Sequence, residues 1–216
     1  MVIAIDGPAG SGKSTTAKIV AKKLGYIHLN TGAMYRAIAL KCIKSKIFPD
    51  DMSSLKKMLN DTMFSFGGIK STTLFIDDNP INADIASLKV TKLVTKISTI
   101  SFVREKLVKF QRDMVKGKNV VMEGRDIGTI VFPNADYKFF LIADIVTRAK
   151  RRKVQLDEQN KDISIEKLVS DIKSRDISDE SRKHSPLKQA KDAFVIDGTD
   201  LTLEDQVNCI IDKIKN

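Results

Sequence analysis

Residues 7–14 read GPAGSGKS and follow the apolar run VIAI (2–5) and Asp6. The stretch fits G-x-x-x-x-G-K-[ST] between a predicted strand and a predicted helix, which is the mechanical setting of a phosphate-binding loop. Glycines at 7, 10 and 12 let backbone N–H groups curl around an oxyanion, and a helix starting near Lys13 adds its positive end. Lys13 is placed to reach β- and γ-phosphates, and the Ser14 hydroxyl is the expected Mg2+ ligand. The loop therefore predicts a nucleoside triphosphate site built from Gly7, Pro8, Ala9, Gly10, Ser11, Gly12, Lys13, Ser14 and Thr15.

Outward from the loop, short apolar runs alternate with helical periods. The runs are YIHL (26–29), NVVM (119–122), YKFFLI (137–142) and AFVI (193–196), and most end in a polar or acidic residue. Between them, Ala17, Val20, Ala21 and Leu24 recur at helical spacing. So do Val90, Leu93, Val94 and Ile97, then Ile165, Leu168, Val169 and Ile172, and finally Val207, Ile210, Ile211 and Ile214. The alternation predicts an α/β fold with a parallel sheet whose carboxyl edge holds the chemistry. One segment departs from it. FSFGGIKSTTLFIDDNPIN (64–82) carries turn signals at Gly67-Gly68 and Asp78-Asn79-Pro80, and reads as a small inserted antiparallel sheet.

Composition narrows the partners. With 42% hydrophobic and 30% charged residues the chain is globular, and no apolar run approaches the ~18 residues of a membrane span. The start, MVIAIDGPAG, lacks the basic segment of a signal peptide. Two cysteines, Cys42 and Cys209, read as buried small hydrophobes, and with only two histidines no zinc cluster is expected. A reducing cytoplasm follows as the expected location. The net charge of +10 calls for an anionic partner, but 6% aromatics and no Trp leave little to stack on bases, so small polyphosphates account for it as well as nucleic acid does.

Arginines cluster near predicted element ends. Arg36 follows the second strand, Arg125 the third, Arg104 opens a helix, and RAKRRK (148–153) follows the fourth strand. Planar bidentate donors suit phosphate oxygens, and phosphoryl transfer is catalysed mainly by positioning and charge stabilisation. In SRDISDESRKHSPLK (174–188), Arg175, Asp179 and Arg182 would share one helical stripe, with Pro186 marking a nearby end. Glu123 and Asp144 are acids after apolar strands that could serve a metal or water; Gly124-Arg125-Asp126, directly after Glu123, tilts the reading toward a kinase with a second, anionic substrate. A phosphate acceptor would need no protein base, because its second pKa near ~6 leaves it largely dianionic.

IDGPAGSGKST, NTGAMYRA, EGRDIGTIVFPNAD, RDISDESRKHSPL and DAFVIDGTDLT, in that order and spacing, resemble the bacterial cytidylate kinase family over nearly the whole chain. The resemblance implies a five-stranded parallel sheet flanked by helices, an inserted antiparallel β subdomain and a helical lid. It divides the chain into a core (about 1–30, 99–147 and 184–216), a monophosphate-binding region (about 31–98) and the lid (about 148–183). It implies transfer of the γ-phosphoryl of ATP to CMP or dCMP with Mg2+, with small-molecule substrates, no nucleic acid or membrane partner, and a monomer. By the same resemblance Thr95, Arg104 and Asp126 meet cytosine. Arg36, Arg125 and Arg182 meet the acceptor phosphate near Thr31 and Tyr35, and Arg175 and Asp179 meet the sugar. Lys13, Arg148, Arg151, Arg152 and Arg182 are the implied catalytic cations.

Two positions depart from the family pattern: Ala86 stands where an arginine is expected, and Gly198 replaces a more usual threonine. Neither is expected to touch the site. Two other functions stay open on sequence alone. One is a related kinase taking UMP, AMP or dTMP; the other is a basic P-loop protein that binds RNA or ribosomes and hydrolyses the triphosphate as a switch.

Overall fold

A computed structural model describes residues 1–67, 73–81, 83–157 and 162–215. The chain begins β1 (Val2–Asp6), α1 (Lys13–Leu24), β2 (Ile27–Asn30) and α2 (Thr31–Lys44). It continues with α3 (Met52–Asn60), β3 (Phe64–Gly67), β4 (Thr73–Ile76), β5 (Asn79–Pro80), a 3-10 turn (Ala83–Ala86), α4 (Leu88–Ile97) and α5 (Ser101–Met114). Then come β6 (Val120–Glu123), a π-helical turn (Ile127–Val131) and β7 (Tyr137–Ile142). The last elements are α6 (Ile145–Asp157), α7 (Ile165–Glu180), β8 (Phe194–Asp197) and α8 (Leu203–Lys215). They form two compact units, Met1–His28 with the chain from Val120 onward, and Leu29–Asn119.

In the first unit the five-stranded sheet runs in the order β2-β6-β1-β7-β8, with β1 parallel to β6 and β7, and β7 parallel to β8. The predicted apolar runs become its strands because each is long enough to span the sheet and too short for a buried helix. Ile3, Ile5, Val121, Phe139, Leu141 and Ile196 form a core with Ala17, Val20 and Ala21 of α1 and Val207, Ile210 and Ile211 of α8. The predicted helical stripes are thus the faces that cover the sheet. Pairing Ile5 with Glu123, and Ile142 with Asp197, lines up acids at the carboxyl edge. The α6–α7 pair has its own small core of Ala149, Leu156, Leu168 and Ile172.

In the second unit, helices and the inserted sheet surround Met34, Ile38, Leu55, Leu59, Val90, Ile97 and Leu107, all buried. Asn30, Asp51 and Ser87 cap α2, α3 and α4 through side-chain oxygens, which is why these polar residues precede the apolar periods. The β3-β4-β5 sheet is antiparallel, as expected of the insert. Its second turn centres on Asp77 and Asp78, at φ 47° and 61°, one residue earlier than Asp78-Asn79-Pro80 suggested. Two left-handed residues give the turn a twist that matches the strands, and Pro80 falls on the edge strand, where its missing N–H is harmless. The Gly67-Gly68 turn lies partly outside the described residues.

Two sequence expectations need correction. Cys42 is buried, but Cys209 is exposed, because it lies off the Val207–Ile210–Ile211 stripe of α8. Arg182 is not on the helix: α7 ends at Glu180 with Ser181 as its cap, well before Pro186. Ser185 turns the chain with φ 53°, and Leu187 N–H closes back on the Asp179 carbonyl at 2.8 Å.

The start of the phosphate loop leaves no room for a side chain. Gly7 has φ 145°, and a Cβ there would lie 2.0 Å from the Leu141 carbonyl oxygen of β7. Gly7→Ala should therefore cost more than about 3 kcal/mol, since neither the dihedral nor the strand can yield cheaply. Urea denaturation measures this; a loss below ~1 kcal/mol would mean that the strand end adapts.

Candidate active site

The loop after β1 is held in shape by its own glycines and by donors from α6. Gly10 and Gly12 have φ 78° and 95°, and Gly12 starts α1 with no side-chain cap. Arg148 Nη1 donates to Ala9 O at 3.1 Å. Arg151 Nη1 lies 3.5 Å from Ser11 O, while its Nη2 donates to Gly198 O at 2.6 Å. Guanidiniums that engage the loop carbonyls favour a backbone whose N–H groups turn the other way, toward an anion. Arg148 is itself fixed by Asp176 of α7 at 2.5 Å, a pair almost entirely buried. Of the predicted catalytic cations, Arg152 meets the loop in no described contact; its Nη1 donates to Gln155 at 3.2 Å.

Lys13 is buried and folded onto its own loop, donating to Pro8 O at 2.5 Å and to Ser11 Oγ at 3.3 Å. Burial holds its pKa well below the ordinary lysine value; Arg125 pushes it the same way, Glu123 and Asp6 oppose, and Arg175 adds to the depression. Ser14 Oγ donates to Glu123 Oε2 at 2.6 Å, and His28 Nε2 lies 3.3 Å from Glu123 Oε1. A hydroxyl and a carboxylate are hard oxygen donors that fit Mg2+. Among the described residues no group of three or more His, Cys, Asp or Glu could form a protein cage.

Beyond β6, Asp179 gathers the arginines of three separate segments. Its Oδ2 accepts from Arg125 Nε at 2.9 Å and lies 3.9 Å from Arg175 Nε, and its Oδ1 accepts from Arg182 Nη2. Burial pushes the Asp179 carboxyl up, but Arg125, Arg182 and Arg175 outweigh it and hold it below the ordinary value. Next to Arg125, Asp126 is buried and heads the π-helical turn, whose Val131 N–H returns to the Asp126 carbonyl at 3.1 Å. Such an i, i+5 bond is uncommon and tends to mark functional segments.

The second unit holds the other predicted residues. Tyr35 and Arg104 are together, with the guanidinium 5.4 Å from the ring centroid and Nη1 donating to Ser98 O at 3.1 Å. Arg36 instead donates to Ile85 O at 3.1 Å and Thr91 Oγ1 at 2.9 Å. Thr31 is buried at the start of α2, whereas Thr95 is exposed on α4.

Three residues near the loop escaped the sequence reading. Asp6 accepts from the N–H groups of Ile127 at 2.9 Å and Gly128 at 2.8 Å, tying β1 to the segment that carries Arg125 and Asp126. Asp176 gave only the pattern of a charged helix. Gln206 is buried and accepts from Thr16 Oγ1 at 3.3 Å, and its amide nitrogen lies 2.6 Å from where a Gly198 Cβ would be. The signal for it was Gly198, whose expected distance from the site is wrong: its carbonyl receives Arg151. Ala86 is exposed.

The sequence pattern that defines the family described as cytidylate kinase matches residues 3–216. A cytidylate kinase of Clostridium botulinum is 45% identical over 213 residues, 99% of this chain and 97% of its own. One of Caldicellulosiruptor saccharolyticus is 44% identical over 97% of this chain and 93% of its own. One of Fusobacterium nucleatum is 41% identical over 100% and 97%. The crystal structure of shikimate kinase from Bacteroides thetaiotaomicron superposes with a TM-score of 0.53 at 12% identity, covering 100% of this chain and 99% of that one. At that identity it attests to the fold alone.

Burial pushes the Asp6 carboxyl up to about 6 from an ordinary 3.8; the Gly128 and Ile127 N–H bonds oppose it, Asp126 adds to it, and Lys13 opposes. With the folded value above the unfolded one, the native state holds the extra proton between them. The Asp6 contribution to stability is thus full below the unfolded value and is lost as pH rises through the folded one. Between about pH 4 and pH 7 the wild-type advantage over Asp6→Asn should fall by on the order of 3 kcal/mol. Urea denaturation of both proteins across that range reads it directly, and a constant difference would contradict it.

Proposed function

The chain belongs to the cytidylate kinase family, and from that premise we propose that it passes the γ-phosphoryl group of ATP to CMP and dCMP. The observation that carries this reading is geometric: the phosphate loop buries Lys13 against Pro8 O and Ser11 Oγ, while Asp179 gathers the guanidiniums of Arg125, Arg175 and Arg182. Such a concentration of like charge is stabilised when polyanions occupy both sides of it, as a triphosphate donor and a phosphate acceptor would.

The donor rests on Gly7–Thr15. Lys13 exchanges the Pro8 carbonyl and Ser11 hydroxyl for phosphate oxygens. Arg148 and Arg151, engaged by loop carbonyls, hold the loop open to the donor, and Arg152 stabilises the charge on the transferring group. Ser14 and Glu123 would hold Mg2+, directly or through water, with His28 steadying the far oxygen of Glu123. Held there, Mg2+ would supply positive charge to offset that of the donor phosphates.

Arg36, Arg125 and Arg182 take the acceptor phosphate, near Thr31 and Tyr35, and Arg175 and Asp179 take the sugar. Thr95, Arg104 and Asp126 take the base. The N4 amino group of cytosine is a donor that uracil lacks, and an acceptor such as the Asp126 carboxylate selects for it. A site built to hydrogen-bond a substrate N–H rejects a base that lacks it far more strongly than a difference in shape does. The acceptor dianion is its own nucleophile, so no side chain need remove a proton. We place the enzyme in the cytoplasm as a monomer.

The test is turnover of ATP with CMP, dCMP, UMP, AMP and dTMP offered singly. CMP and dCMP should lead, and a rate with UMP or AMP about tenfold above CMP would reverse the base assignment. Arg152→Ala should lower kcat by roughly 10²-fold or more with an unchanged melting temperature, whereas Arg148→Ala should lower both by breaking the Asp176 pair. Equal melting temperatures for the two variants would remove the distinction.

A further inference from the structure

Asp179 has one more property that its assignment to the sugar does not use. The carboxylate is 2% exposed, and its two oxygens are divided among the guanidiniums of Arg125, Arg175 and Arg182. Three positive charges on one negative leave the cluster at +2, yet the carboxylate already fills the donor positions that face it. A carboxylate offers guanidiniums the same planar pair of acceptor oxygens as one face of a phosphate. It is also anchored: Asp179 ends a helix, and its own carbonyl is bonded by Leu187 N–H at 2.8 Å. An arriving oxyanion cannot expel this group and can only share its arginines.

Sharing leaves a buried carboxylate short of donors, which is costly unless the newcomer supplies replacements. Sugar hydroxyls are such donors; a bare oxyanion brings none. Resting on the assignment of Arg125 and Arg182 to the acceptor phosphate, we propose that Asp179 is an internal counter-ion that makes the arginine site select against free inorganic phosphate. The site then admits a phosphate ester whose own hydroxyl groups take over the carboxylate. Asp179 is in this sense a specificity-determining residue for the phosphate end of the acceptor as well as for its sugar.

The two roles separate experimentally, because loss of the sugar contact weakens CMP binding whereas loss of the counter-ion strengthens phosphate binding. Wild type and Asp179→Asn are titrated calorimetrically with inorganic phosphate, with ADP saturating the phosphate loop. The variant should bind phosphate about tenfold or more tightly than wild type, with the gain abolished in Asp179→Asn/Arg182→Gln. Equal or weaker binding by the variant, or a gain that survives the second substitution, overturns the proposal. If Asp179→Asn does not fold in phosphate-free buffer, its melting temperature is followed against phosphate concentration. A rise much steeper than that of wild type supports the proposal, and a parallel one overturns it. CMP turnover by wild type without the phosphate gain defeats this inference alone, while the gain without CMP turnover defeats the functional reading and spares the counter-ion.

Discussion

An ammonium buried against the carbonyl of its own loop is an arrangement that water alone cannot stabilise. Lys13 lies out of solvent, Arg125 and Arg175 act on it unfavourably, and Glu123 and Asp6 only partly offset them. Everything around the loop can be understood as managing this excess. Asp179 neutralises one guanidinium's worth of charge, Asp176 neutralises Arg148, and the carbonyls of Pro8, Ala9 and Ser11 absorb donors that would otherwise face nothing. The cations around the loop are thus held by contacts within the protein itself.

The same contacts link parts that lie far apart in sequence. Asp6 ties the end of β1 to the π-helical turn, so the segment with Arg125 and Asp126 is positioned by the strand that opens the phosphate loop. Arg148 joins the loop to α7 through Asp176, and the next turn of α7 carries Asp179. A displacement of the loop is therefore felt, through one buried ion pair, on the helix that carries Arg175 and Asp179. Buried pairs add little net stability, but breaking one is costly, which suits them to fixing geometry.

Much of the fold was legible in the sequence because it is written in local periods. The strands were apolar runs of the right length, the helices apolar stripes, and the loop a glycine spacing with one mechanical meaning. In the candidate site, residue types with few other uses stood out, as with Lys13 or the arginines at element ends. What could not be read were pairings across long separations. The stripe expected in 174–188 was half of the truth, since Arg175 and Asp179 share the helix, Arg182 comes from beyond it, and Arg125 joins from 54 residues away. Asp6, Asp176 and Gln206 gave no signal of their own, because an acid at a strand end or an amide on a helix becomes informative only once its partner is known. Cys209 shows the converse: burial was assigned by residue type, and helical phase overruled it.

Gly198 and Gln206 carry an implication for how this chain can change. The amide of Gln206 occupies the volume that a side chain at 198 would need, and the same glutamine receives Thr16 on the first turn of the loop helix. The two positions are therefore coupled through one flexible side chain. A larger residue at 198 is admitted when the Gln206 amide swings aside, and that movement gives up the bond from Thr16. The consequence of a change at the strand end thus falls on the helix that follows the phosphate loop.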